Sequence, residues 1–287
     1  MKRPPKTFRT RLVHGGRSIA PEGGQPVNPP VVRASTAVFD SIAAQQDMRA
    51  RRDSERLFTY GARGTPTGFA LESMIAELEA GYRTRLFPTG LAAIAMTFTS
   101  YLAPGDHVLI VDSVYDPVRR FAANHLARLG IRFTYFRADE ADVERHIGRD
   151  TRMIYVETPG SAVFEMSDLP ALAHLARRRR LLLVADNTWG SGLQYRPLAL
   201  GADVSIMAAT KYLSGHSDVV MGAVTTTAEA WPALTGSSLR ISCSYSSINA
   251  VRLASGDCAS VSEHDSNRAR PLRTDAGRDM KPMRPSP

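Results

Sequence analysis

Cysteine is nearly missing from this chain of 287 residues: Cys243 and Cys258 are the only two, and both lie near the C-terminal end. Without a Cys-x-x-Cys pair there is no disulfide framework and no thiolate metal site. No other metal-ligand spacing takes its place, and His216 near Asp218 reads as a hydrogen-bonded structural histidine. Long apolar runs are missing too. No stretch reaches 18 apolar residues, so no membrane-spanning helix is expected. The N-terminal segment Met1–Arg17 is basic but has no apolar centre, which is not the pattern of a secretory signal peptide and points to the cytoplasm. Acidic charge is in deficit, with 28 Asp and Glu against 36 Lys and Arg and a net charge of +8. A concentrated excess would suit nucleic acid or another acidic partner. Here it is scattered over the N-terminal arm, the Arg177–Arg180 run and the tail. The arginine run closes an expected helix, where cations complement the dipole. No nucleic-acid partner and no membrane partner are expected.

What is present suits a globular fold, since 43% hydrophobic and 22% charged residues supply an ordinary core and surface. Met1–Pro30 is rich in Pro, Gly and Arg and reads as an extended arm. A short helix is expected from Ser41 to about Arg52. A glycine-punctuated loop, Phe58–Thr67, follows, with Thr67 as the cap of a helix over Gly68–Glu79. From Arg83 onward strands and helices alternate. Strands are expected at Thr84–Phe87, His107–Val111, Ile131–Phe136, Met153–Glu157, Leu181–Ala185 and Val204–Ala209. Helices are expected from Gly90, over Asp116–Leu129, Asp139–Ile147 and Leu169–Arg180. That alternation predicts an α/β fold, a mainly parallel sheet with helices on both faces. Ligands of such sheets sit beyond the carboxyl ends of the strands. Tyr115, Glu157, Asp186 and Lys211 all fall at or just past such ends.

Lys211 carries the chemistry. The apolar run Val204–Ala209 stops at Thr210-Lys211-Tyr212, and a cation at the end of a buried strand must be paired or desolvated. A desolvated lysine can form a Schiff base with pyridoxal phosphate (PLP), although most lysines after strands are simply solvated. Two upstream features add to this. Leu181–Ala185 ends in Asp186-Asn187-Thr188-Trp189, and a carboxylate there can pair with a protonated pyridine nitrogen. Phe87-Pro88-Thr89-Gly90-Leu91 opens the helix with a capping residue and a glycine, which suits a phosphate. Phosphate cradle, carboxylate and lysine follow one another along the chain.

Asp203-Val204 with Ala208-Ala209-Thr210-Lys211-Tyr212-Leu213 and Gly215-His216-Ser217 resembles the lysine signature of the cysteine/methionine-metabolism PLP enzymes, the trans-sulfuration family. The resemblance runs from about Gln25 to about Leu234. It is nearest the cystathionine β-lyase branch, which also has Trp after Asp-Asn-Thr and His-Ser-Asp after the lysine. It implies the aspartate-aminotransferase type I fold and a homo-oligomer, dimer or tetramer, whose N-terminal arm packs on a neighbouring subunit. It divides the chain into an arm and oligomer-contact segment (1–60), a PLP-binding large domain (61–235) and a non-matching tail (236–287). In the roles it implies, Lys211 holds PLP and moves the Cα proton, and Asp186 pairs with the pyridine nitrogen. Tyr115 stacks on the ring and, with Tyr60 from a neighbour, positions the cofactor and assists proton transfer, and Gly90, Leu91 and Thr210 belong to the cofactor site. Tyr60 and Arg63 reach the neighbour's cofactor phosphate, although the family usually places its arginine where this chain has Ala62. Relatives often have a phosphate-binding serine where this chain has Ala208. The implied reaction is cleavage of L-cystathionine, a small amino-acid substrate, to homocysteine, pyruvate and ammonia in methionine biosynthesis. A γ-lyase or γ-synthase, or a truncated inactive PLP-binding homologue, is the alternative.

Beyond about Leu234 the resemblance stops. Gly236–Pro287 is rich in Ser, Arg and Pro without helical or strand periodicity, and reads as a disordered tail. Family members continue into a smaller domain with an arginine for the substrate carboxylate. Nothing around Arg240, Arg252 or Arg268 matches it. A truncated or frame-shifted reading frame without the small C-terminal domain is the expectation.

Overall fold

In the computed structural model, residues 7–15, 27–52 and 54–238 are described. The tail, both cysteines and Arg240, Arg252 and Arg268 lie outside them, apart from the first residues of the tail at the end of the last helix. The elements follow the expected alternation: α1 (Phe8–His14), α2 (Ile42–Arg51), α3 (Pro66–Leu78), β1 (Arg83–Phe87), α4 (Gly90–Tyr101), β2 (His107–Val111), α5 (Asp116–Phe121), β3 (Arg132–Phe136), β4 (Thr151–Glu157), α6 (Leu169–Arg179), β5 (Leu182–Asp186), β6 (Val204–Met207), β7 (Gly222–Thr226) and α7 (Trp231–Ser238).

The seven strands form one sheet in the order β1-β7-β6-β5-β4-β2-β3. Neighbours from β6 through β3 run parallel, whereas β7 is antiparallel to both β1 and β6. All residues of β2, β6 and β7 are buried, as expected of strands covered on both faces. The cover can be read from side-chain alternation. Phe87, Ile206 and Val224 join the core cluster that contains α4, while Leu86, Met207 and Ala223 pack with Ile75 of α3. The helices α3 and α4 therefore lie on opposite faces. Strand order reverses where β2 meets both β3 and β4, which places a topological switch point at the carboxyl ends of β2 and β4.

Several expectations need correction. The arm is not wholly extended: α1 is a helix of about two turns with no buried residue, its start capped by Thr7 Oγ1 accepting from the Thr10 N–H. Thr65, not Thr67, caps α3, because Pro66 occupies the first helical position and the Thr65 hydroxyl accepts from the Gly68 N–H at 3.4 Å. Thr67 instead ties down the arm, donating to the Pro30 carbonyl (2.7 Å) and accepting from the Val32 N–H (2.8 Å). The helix expected over Asp139–Ile147 shrinks to a 3-10 turn, Val143–His146. Local bonds compete with it: Glu140 accepts from the Arg137 N–H at 3.2 Å, and the Arg137 guanidinium grips Asp139. The stretch Asp116–Leu129 is helical throughout, but its winding changes from α5 to a π-turn (Ala122–Leu126) and a 3-10 turn before left-handed Gly130. The last apolar strand stops at Met207, two residues early, and its antiparallel neighbour β7 was not foreseen.

Candidate active site

The carboxyl ends of β4, β5 and β6 and the N-terminus of α4 surround one cavity of about 630 Å³. Lys211, Asp186, Tyr115, Gly90, Leu91 and Thr210 all line it, together with Glu157, Thr188, Trp189, Ala208 and Tyr212. Six of the eight residues singled out from the sequence thus come together. Tyr60 and Arg63 do not. Tyr60 is half exposed and forms an isolated antiparallel bridge with Thr36. Arg63 ends a 3-10 turn beside a separate small cavity lined by Arg56, Glu72 and Arg85.

Lys211 is the sole lysine among the described residues. It sits four residues past β6, exposed to the cavity rather than desolvated at the strand end as expected. Its backbone is held firmly. The Lys211 N–H donates to the Ala208 carbonyl (3.0 Å), and the Gly215 N–H donates to the Lys211 carbonyl (2.9 Å). Thr210 fastens the same turn to the approach of β7, its hydroxyl donating to the Met221 carbonyl (3.1 Å) and accepting from the Met221 N–H (3.0 Å). The amine is left as the reactive end of an anchored turn.

Asp186, the last residue of β5, is buried and its carboxylate is aimed by several donors. Oδ1 accepts from the Thr188 N–H (3.0 Å) and from the Thr188 hydroxyl (2.6 Å). That hydroxyl in turn accepts from the Ala208 N–H (2.8 Å), joining β5 to the turn that carries Lys211. Oδ2 receives a longer contact from the Tyr155 hydroxyl at 3.4 Å. Burial pushes the Asp186 carboxyl above the usual carboxylate range, and its three donors pull it back. A cation facing it in the cavity would complete the compensation. Thr188 and Tyr155 were not singled out from the sequence. Thr188 was legible, since an Asp followed two residues later by a hydrogen-bonding Thr is the pattern of an Asx turn.

At the other end of the cavity, Thr89 caps α4, its hydroxyl accepting from the Ala92 N–H at 2.9 Å. Ala93 N–H goes to the Thr89 carbonyl (3.1 Å), which leaves the N–H groups of Gly90 and Leu91 without intrahelical partners. Those two donors and the positive end of the helix dipole suit a phosphate. Gly90 is required by close approach: a Cβ there would lie 2.8 Å from the Cβ of Ala208. Ala208 thus sits at the phosphate end and offers no side-chain donor. The residues present fit PLP, with a dianion site, a carboxylate for the ring nitrogen and an amine lining the same space.

Tyr115 caps α5 at the rim, and its backbone N–H donates to Glu157 Oε2 at 2.7 Å. An aromatic wall completes the mouth. Trp189 lies 4.9 Å from Phe164 in an edge contact and 5.4 Å from Tyr212. His216 bonds locally, its Nδ1 donating to the Ser214 carbonyl at 2.7 Å.

Comparison with known proteins agrees with this geometry. The family described as Cys/Met metabolism PLP-dependent enzyme matches residues 9–256, a span wider than the 25–234 seen from the motifs. Cystathionine beta-lyase of Bordetella avium is 48% identical over 228 residues, covering 78% of this chain and 57% of that protein. Cystathionine beta-lyase of Escherichia coli strain K12 is 39% identical over 232 residues, covering 80% of this chain and 58% of that protein. Among solved structures, a cystathionine gamma-lyase from Lactobacillus plantarum complexed with L-serine superposes with a TM-score of 0.75 at 32% identity, covering 87% of this chain and 64% of the other. The chain spans a little under three fifths of the length of those two curated relatives.

Proposed function

The chain belongs to the Cys/Met metabolism PLP-dependent enzyme family, and from that premise we propose that it holds PLP through Lys211 and cleaves a carbon–sulfur bond in an amino-acid thioether. The substrate of this reading is L-cystathionine, split to homocysteine, pyruvate and ammonia. Supporting it is the convergence of the only described lysine, the buried Asp186 and the free N–H groups of Gly90 and Leu91 on one cavity.

When bound, PLP supplies an electron-withdrawing pyridine ring that takes up the electron pair of a broken Cα–H bond. The chain's residues do the rest. Gly90 and Leu91 bind the phosphate through their N–H groups, and Asp186 holds a proton on the ring nitrogen. Tyr115, which lines the same cavity, would hold the ring. The free Lys211 amine would take the Cα proton of the substrate, from whose Cβ the thiolate would leave. Tyr60 and Arg63 serve the cavity of a neighbouring subunit in a homo-oligomer. This is the one arrangement that gives them a role in the site, since neither lines the cavity of its own chain.

A γ-cleaving reading competes, favoured by the likeness to the cystathionine gamma-lyase structure. The assay that separates them supplies cystathionine and PLP and measures both oxo-acid products. Pyruvate in excess, lost in Lys211→Ala, is the expected outcome. Excess 2-oxobutyrate would replace the β reading by the γ reading. Retained cofactor with neither product would leave a PLP-binding homologue without lyase activity.

A further inference from the structure

Glu157 is the last residue of β4 and stands directly opposite Asp186 in the parallel register of β4 and β5. Both side chains line the Lys211 cavity and both are buried, 4% and 5% exposed. Two carboxyl groups at adjacent strand ends cannot both ionise cheaply in such a place. Their hydrogen bonds are unequal. Asp186 accepts from Thr188 twice and from Tyr155, whereas Glu157 accepts the Tyr115 N–H at 2.7 Å with a further contribution from Ser161. Donors favour the charged form of whichever carboxyl collects more of them.

We propose that Glu157 is a positioning residue of this site: its neutral carboxyl ties the start of α5, and with it the Tyr115 ring, to the end of β4, and leaves the single negative charge of the cavity floor to Asp186. The inference rests on the PLP-binding reading above and adds a function for a residue that reading does not use. Burial first, then the charge of Asp186, pushes Glu157 up to about 8. The groups around it do not reverse this. Asp186 from β5 is raised by burial as well, but its three donors favour its charged form, while the phenols of Tyr155 and Tyr195 are themselves raised by burial. Tyr195 spends its hydroxyl on the Thr158 carbonyl. Lys211 across the cavity is the one amine among the described residues. A second charge beside Asp186 would over-stabilise a ring-nitrogen proton and repel the incoming substrate carboxylate.

The sign of the pH dependence follows. A carboxyl whose folded value lies above its unfolded value of 4.5 contributes stability below about 4.5 that is lost as pH rises toward 8. The experiment compares wild type, Glu157→Gln and Glu157→Ala in two measurements. Cofactor-free thermal unfolding is followed from pH 5 to 9, and PLP affinity is titrated at neutral pH. In the first, wild type should lose stability relative to Glu157→Gln as pH rises, because the amide does not titrate. In the second, Glu157→Ala should bind PLP about tenfold more weakly, having left the Tyr115 N–H unpaired, and Glu157→Gln should recover most of that loss. Parallel unfolding profiles, or a Gln variant as impaired as the Ala variant, would overturn the proposal. Wild type that takes up no PLP at all would overturn the PLP-binding reading instead, whatever the unfolding profiles show.

Discussion

Asp186 and Asn187 are adjacent in the chain, yet they serve two buried carboxyl clusters of opposite kind. Asp186 looks into the Lys211 cavity beside Glu157. Asn187, fully buried, turns to Glu79 at the end of α3, where its amide donates to Oε1 and Oε2 at 2.9 and 3.1 Å. The Ser205 hydroxyl of β6 donates to the same Oε2 at 2.7 Å. Burial raises Glu79 to about 7 against these donors. Both clusters therefore hold perturbed acids, and perturbation alone does not mark a site. What separates them is access. Glu79 is 1% exposed, and its hydrogen-bond partners Asn187 and Ser205 are buried. Asp186 and Glu157 share their space with an amine and two free helix N–H groups. One cluster locks α3 to the sheet, and the other is left open for a ligand.

The comparison breaks most readily at Asp186. Asp186→Asn should slow Cα proton removal about 10- to 100-fold while changing PLP affinity far less, because a charge-assisted bond is lost where charge develops. Single-turnover cleavage of the thioether beside a cofactor titration measures both, and an unchanged rate would remove Asp186 from the mechanism. Glu79→Ala should act in the opposite column. It strands the Asn187 amide and the Ser205 hydroxyl in the interior and costs about 2 kcal/mol in urea unfolding, with cofactor uptake kept by the folded fraction. Loss of uptake at unchanged stability would place Glu79 in the open cluster. Thr188→Val, of nearly equal volume, removes the hydroxyl between the Ala208 N–H and Asp186. It should cost about fivefold in rate, read in the same single-turnover assay. The smallest effect is on pH. Glu79 has a folded value near 7 above an unfolded 4.5, so its stabilising contribution is present below about 4.5 and fades as pH rises to 7. Glu79→Gln should flatten the unfolding temperature over that window, and a profile parallel to wild type would contradict it.

Much of this was legible in the sequence, for local reasons. Val108–Val111 and Leu182–Ala185 are short apolar runs without a turn residue, of the length expected of buried strands. Thr89-Gly90 announced the start of α4, and the Lys211 turn carried its own signature. The rest depended on contacts distant in sequence. β7 begins at Gly222, which reads as a break until one sees that a Cβ there would run into the Thr89 carbonyl. The role of Thr67 depended on the arm returning across 37 residues to Pro30. The pairing of Glu157 with Asp186 is a matter of strand register, which no run of residues spells out. Tyr60 and Arg63 were read as partners of another subunit's site, and a single chain places them apart from its own cavity.

The central claim is that Lys211 is the residue that holds PLP. The most direct measurement incubates the purified chain with PLP, reduces with borohydride, digests, and locates the pyridoxyl group by mass spectrometry. The account predicts one modified peptide, carrying the group on Lys211, and none in Lys211→Ala. A group fixed instead on Lys2, Lys6 or Lys281, or no retained group in a folded protein, would contradict it.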